Sequence, residues 1–186
     1  MRNSRLTVCF IAIWFTCGCA AIHSQTTAPA KPAEGGSPVT FMAGGAYADI
    51  TPEHAMPNYN GVHLELDKNA TPLRVQAIVL GDGTARATII SVDCTFLGRT
   101  EVGRIRDALH QRVGLKPENI CIAATHSHAS PATTASFLTG ELPDPKYIDL
   151  LVGQTSRAVE QAISRMKPAR VVAASIDAPP KRKTTF

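Results

Sequence analysis

Asn119-Ile-Cys-Ile-Ala-Ala-Thr125-His126-Ser127-His128 reads as an apolar β-segment that opens abruptly into ligand-type side chains. The run is short and uncharged, and Pro117 and Glu118 lead into it, which suits a buried strand rather than a helix. Segments of helical period stand on both sides. Upstream, Val102, Ile105, Leu109 and Val113 recur at helical spacing and Gly114 supplies the stop. Downstream, Asp144-Pro145 combines a cap with a first-turn proline. Ile148, Leu151, Val152, Val159, Ile163 and Met166 then give a long helix its apolar face, with Pro168 at its end. Helices alternating with apolar strands indicate a layered α/β domain.

Four more strands are expected around this centre. Phe41 to Ile50 is the first, ended by Asp49-Ile-Thr-Pro52, because Pro52 lacks a donor and biases Thr51 to extended geometry. Residues 53–72 are rich in turn formers and read as a long loop. Arg74 to Leu80 and Ala87 to Asp93 are two strands joined at Asp82-Gly83, a hairpin signal. The second of these looks buried on both faces. Arg170 to Ile176 is the last. Helical crossovers favour parallel pairing for the later strands and the hairpin is antiparallel, so the sheet should be mixed. The expected class is therefore α/β, a layered mixed β-sheet with flanking helices. A basic, Pro-rich stretch leads to Thr184-Thr185-Phe186 with no evident closing element, so the domain is expected to be the incomplete N-terminal part of a larger one.

With 186 residues and 44% apolar side chains, the chain can bury a core, built from Val, Ile, Leu and Ala because aromatics are only 5%. Arg2 and Arg5 precede the apolar run Leu6 to Phe15, and Gly18, Cys19, Ala20 and Ala21 follow. A basic start, a short apolar stretch and a small-residue exit make residues 1–24 a secretory signal, and the run is too short to span a membrane. Export to the periplasm or beyond is expected, with Cys19 after Gly18 as a second-ranked lipoprotein site. Without residues 1–24 the net charge falls from +4 to +2, since Arg2 and Arg5 leave and no acid does. That is too mild to argue for nucleic acid or an anionic membrane as partner. Residues 25–40, rich in Pro, Ala, Gly, Ser and Thr, read as a flexible linker, and 41–186 as the domain. Cys94 and Cys121 are expected as small buried thiols on neighbouring strands, with a disulfide as the alternative.

The chemistry centres on His126 and His128. They stand at the C-terminal end of a strand, where α/β proteins place ligands. Extended backbone sends residues two apart to the same side, so the two imidazoles should face one cavity. Neutral imidazole is a common metal ligand and suits Zn²⁺. The competing reading has one histidine capping a loop and the other exposed. A catalytic zinc commonly takes three protein ligands, and no third stands at a matching position. Asp93 ends its strand much as His126 does and could orient a histidine, or simply cap the strand end. His63 is a loop residue, solvated or liganding. His54 and His110 read as surface positions, and His23 leaves with the signal. No Gly-x-Ser-x-Gly elbow, phosphate-binding glycine loop or Cys-His nucleophile pattern is present.

Four stretches, in order, resemble the N-terminal domain of the neutral/alkaline, non-lysosomal ceramidases and their bacterial relatives. They are Asp49-Ile-Thr-Pro52, Pro72 to Leu80, Ile90-Ser-Val-Asp93, and Asn119 to His128 with Pro131. The likeness spans about residues 41–177, and only the last stretch is specific. The family pattern there is Thr-His-Thr-His-Ser-Gly/Ala-Pro. Thr125, His126, His128 and Pro131 match it, Ser127 replaces Thr, and Ala129-Ser130 stands for Ser-Gly/Ala. The resemblance implies that His126 binds a catalytic zinc, and that His128 lines the same site in a supporting catalytic role as a further metal-site residue. It implies zinc-assisted hydrolysis of an amide, of N-acylsphingosine type, with the metal activating a water or polarising the carbonyl.

The family's remaining site groups are a second zinc-binding histidine, a glutamate, a tyrosine and a nearby serine. They lie further along a longer chain, so the chain by itself is expected to be inactive as a hydrolase. The partner expected is a small-molecule or lipid amide substrate, with peripheral membrane contact left open and no nucleic acid. The alternatives are another His-x-His metallohydrolase, whose further ligands would follow later strands, and an exported, non-catalytic binding domain.

Overall fold

The computed structural model describes residues 7–13, 40–64 and 71–177. The charged start and small-residue exit of the expected signal, the linker over 25–39 and the basic tail lie outside them. The chain divides into two units, 1–38 with 169–186 and 39–168. In the first, β1 (Thr7–Ile13) pairs antiparallel with β9 (Val171–Asp177), Thr7 opposite Asp177. The last strand therefore has an antiparallel partner, where a parallel one was expected from helical crossovers.

The second unit holds the mixed sheet. Along the chain come β2 (Met42–Asp49), the two-residue strands β3 (Met56–Pro57) and β4 (His63–Leu64), β5 (Arg74–Gly81), β6 (Arg86–Val92) and α1 (Arg99–Val113). A 3₁₀ turn at Pro117–Asn119, β7 (Ile120–Ala124), α2 (Pro145–Ser164) and β8 (Lys167–Pro168) follow. The sheet order is β7-β6-β5-β2-β8. β2, β5 and β6 run antiparallel to one another in turn, β8 is antiparallel to β2, and β7 alone is parallel, to β6. α1 is the crossover that parallel pairing requires. The expected α/β class with a mixed sheet holds, and 53–72, read as a loop, contains the small β3–β4 hairpin.

Local chemistry explains the boundaries. At the β5–β6 turn the Asp82 carboxylate accepts from Thr84 N, Thr84 Oγ1 and Ala85 N, each at 2.8 Å, and these donors hold it down to about 2. Gly83 takes φ 90°, open to glycine at little cost. Gly114 ends α1 in the left-handed region at φ 68°, its N–H donating to His110 O. Asp144 caps α2, its Oδ1 accepting from Lys146 N at 2.7 Å. α2 ends at Ser164, before the expected stop at Pro168, which instead lies opposite Met42 at the sheet edge, where a missing donor does no harm.

Both helices cover one sheet face. Val75, Ala77, Val79, Ile90 and Val92 from the strands share a core with Ile105 and Leu109 of α1 and Leu151, Ala158, Val159 and Ala162 of α2. Exposed Arg112–Glu160 and Arg104–Asp149 ion pairs bridge the helices and add little. On the other sheet face, Tyr47, Ile78 and Ile89 are exposed. β6 is thus buried on one face only. Its outward residues, Ala87, Ile89 and Ser91, are small or apolar, which hid the alternation in the sequence. Cys121 pairs with Ile89 on the uncovered sheet face, so it is exposed rather than buried. Cys94 is buried as expected, and both are free thiols. Among the described residues no helix is long and apolar enough to cross a membrane.

The approach of α2 to β2 depends on Gly44, where an added Cβ would lie 2.0 Å from the Ala162 carbonyl oxygen. Gly44→Ala is expected to lower stability by about 1–3 kcal/mol or more through overpacking. Gly153→Ala, on α2 with open space around it, is expected to raise it by about 1 kcal/mol through helix propensity. Urea midpoints of the two variants check this, and equal midpoints would contradict the packing.

Candidate functional site

β6 and β7 end side by side, Val92 opposite Ala124. Thr125 N extends the pairing by donating to Val92 O at 2.9 Å. Past this point the chain leaves the extended conformation. His126 has φ 65°, the one non-glycine residue with positive φ among the described residues. Left-handed backbone is uncommon outside glycine, though histidine enters it more readily than most residues. The rings of His126 and His128 nevertheless meet, with centroids 4.9 Å apart and planes at 90°. The expected juxtaposition is present, but it comes from a left-handed bend and not from alternation along a strand. Both histidines are exposed.

The bend is held by a set of polar groups. His126 Nδ1 lies 2.9 Å from Thr95 O, in the segment that follows β6. Thr95 Oγ1 donates to Ser127 O at 2.8 Å and Ser130 Oγ donates to the same oxygen at 3.0 Å. Thr95 is 2% exposed and Ser130 0%, so these bonds are shielded from competing water. Thr133 Oγ1 donates to Phe96 O, adding a second hydroxyl-to-carbonyl stitch between the two segments.

The β3–β4 hairpin closes the other side. Asn58 is buried and divided between two tasks: its Oδ1 accepts from Asn60 N and Val62 N, and its Nδ2 donates to His128 O at 3.3 Å. An isolated bridge joins Asn58 to Pro131, and Ala132 N donates to Pro57 O. Tyr59 stacks edge-on against Phe96 at 4.7 Å and Phe137 at 5.3 Å, and Phe96 meets His126 at 4.9 Å. A run of aromatic edges thus leads from the imidazole pair to Phe137, which is 78% exposed.

The other candidates stand apart from the pair. The Asp93 carboxylate accepts from Arg74 N at 2.9 Å and its own N–H donates to Arg74 O, so it caps the neighbouring strand and orients no histidine. His63 is exposed on β4, opposite Pro57. His54 is exposed beside a shallow hollow of Glu53, Met56, Lys146 and Tyr147. His110 lies on the surface, as expected, with Nδ1 against Leu115 O at 3.1 Å. Burial raises the Cys94 thiol to about 11, so it stays protonated and unreactive at neutral pH. Burial likewise pushes the Tyr147 hydroxyl well up, and that hydroxyl donates to Ile50 O at 2.9 Å.

As a metal site the pair is a partial donor set. Imidazole nitrogen is a donor type that suits a borderline cation such as Zn²⁺. Among the described residues no group of three His, Cys, Asp or Glu side chains converges as a metal would need. The pair can therefore fill at most two coordination positions.

No protein-family model matches the chain, and no curated protein sequence does. Solved structures do match its fold. Neutral ceramidase from Pseudomonas aeruginosa superposes with a TM-score of 0.60 over 71% of this chain, at 22% identity. The fold is ceramidase-like. A ceramidase complexed with C2 gives the same TM-score and identity over 70% of this chain. The chain spans 23% and 22% of the length of those two proteins, so the likeness concerns about a quarter of each.

The backbone at His126 has a measurable consequence. Glycine normally costs stability relative to alanine, but in the left-handed region the order should invert by about 1 kcal/mol. His126→Gly is therefore expected to be more stable than His126→Ala in urea unfolding, and the ordinary order would contradict the bend.

Proposed function

We propose that this chain supplies the His126–His128 part of the site of a zinc-dependent hydrolase of amide bonds, ceramidase-like in its substrate class. The observation that carries the reading is the imidazole pair at 4.9 Å just past the C-terminal end of β7, beside the end of its parallel neighbour β6, within a ceramidase-like fold. His126 is the first metal ligand of the pair, and His128 beside it lines the same site in a supporting catalytic role and offers the second donor. When bound, zinc supplies a Lewis acid that polarises a carbonyl or lowers the pKa of a water. The chain contributes orientation: Thr95, Ser130 and Asn58 hold the backbone carbonyls around the two histidines. The aromatic edges of Phe96, Tyr59 and Phe137 give an apolar approach suited to a lipid-like amide. Both neighbours are ceramidases, which favours an N-acylsphingosine type of substrate.

Two donors leave zinc incompletely held, so calorimetric titration of the chain should show weak, saturable zinc binding that His126→Ala abolishes. With the native downstream sequence attached, the protein should carry zinc by elemental analysis. It should also release fatty acid from an N-acylsphingosine, and lose that activity with His126→Ala. A zinc-free protein, or hydrolysis unchanged by the substitution, would overturn the proposal.

A further inference from the structure

Thr95 touches the histidine segment twice, once through its backbone and once through its side chain. The backbone contact has a chemical consequence. A carbonyl oxygen carries no proton, so the 2.9 Å approach of Thr95 O to His126 Nδ1 is a hydrogen bond only if Nδ1 holds the hydrogen. In the neutral ring the lone pair is then on Nε2. The side-chain contact governs the frame in which that bond forms. Ser127 O, on the residue after the left-handed bend and before His128, accepts from Thr95 Oγ1 and from Ser130 Oγ. The ring bond and the backbone clamp therefore originate from one buried residue that joins the end of β6 to the loop after β7.

We propose that Thr95 is a positioning residue for His126: it fixes the Nδ1–H tautomer, presents Nε2 as the atom available to a cation, and locks the bend that brings His128 alongside. The role toward a cation rests on the reading of His126 as a metal ligand; the tautomer does not. Outer partners that orient a ligating histidine typically alter metal affinity by about 10–100-fold when removed. Thr95→Val removes only the hydroxyl and is close in shape, while Thr95→Ser retains it. Ser130→Ala leaves Ser127 O with one donor and should have the smaller effect.

The test is long-range ¹H–¹⁵N correlation of the imidazoles in the full, metal-free chain, in alkaline buffer so that the rings are neutral. The His126 pattern is expected to be that of the Nδ1–H tautomer in the wild type and in Thr95→Ser, and a mixture of tautomers in Thr95→Val. Zinc titration of the same three proteins should show affinity lowered about tenfold by Thr95→Val and restored by Thr95→Ser. An Nε2–H tautomer in the wild type would overturn the proposal without any variant having to fold. So would a Thr95→Val protein that matches the wild type in both readouts. The Nδ1–H tautomer in a chain that binds no zinc would keep the hold of Thr95 on the ring and remove the metal reading instead.

Discussion

Ser127 O accepts from two buried hydroxyls, Thr95 Oγ1 and Ser130 Oγ, and the arrangement of the site follows from that oxygen. A carbonyl with two donors from buried side chains is well fixed, because water competes poorly for those donors. It stands one residue after His126, whose φ of 65° would otherwise be an unfavourable excursion for a side-chain-bearing residue. The clamp, the bond from His126 to Thr95 O and the edge contact with Phe96 together make the bend the preferred state. Two imidazoles that an extended strand would have spaced by a full pleat repeat are turned onto each other at right angles.

The clamp exists because the topology brings its two halves together. Thr95 follows β6 and Ser127 follows β7, and the parallel register sets Val92 beside Ala124. Antiparallel pairing of the same strands would put these ends at opposite sides of the sheet. α1 makes the parallel return, and its burial of Ile105 and Leu109 with α2 residues anchors it to the covered face. The β3–β4 hairpin, with Asn58 on His128 O, then closes the site from outside the sheet. Core, crossover and hairpin each hold one side of the same short loop.

Much of the frame was legible because it is written in local chemistry. Asp82-Gly83, Gly114 and Asp144-Pro145 are turn and cap signals whose physics lies within a few residues, and each marks the expected boundary in the structure. The pairing of His126 with His128 was also foreseen, but through an extended geometry the backbone does not have. A left-handed residue leaves no trace in composition when it is not glycine. Thr95 was missed because its importance depends on a register between strands about 30 residues apart in sequence (Thr95 to Ser127 is 32), and nothing beside Thr95 announces it. The hairpin at 56–64 was hidden because two-residue strands have no period to detect, and Asn58 sat among ordinary turn formers. Asp93 was readable only as a pair of options, since a carboxylate at a strand end can face a histidine or the next strand's N–H; the bond from Arg74 N decides it.

The central claim is the packing of two imidazoles against each other and of one of them against Phe96, and proton–proton contacts report it directly. In a nuclear Overhauser spectrum of the chain with assigned aromatic protons, the His126 ring should show cross-peaks to both the Phe96 and the His128 rings, at the centroid separations of 4.9 Å. A His126 ring with contacts only to its sequence neighbours, and none to Phe96 or His128, would contradict it.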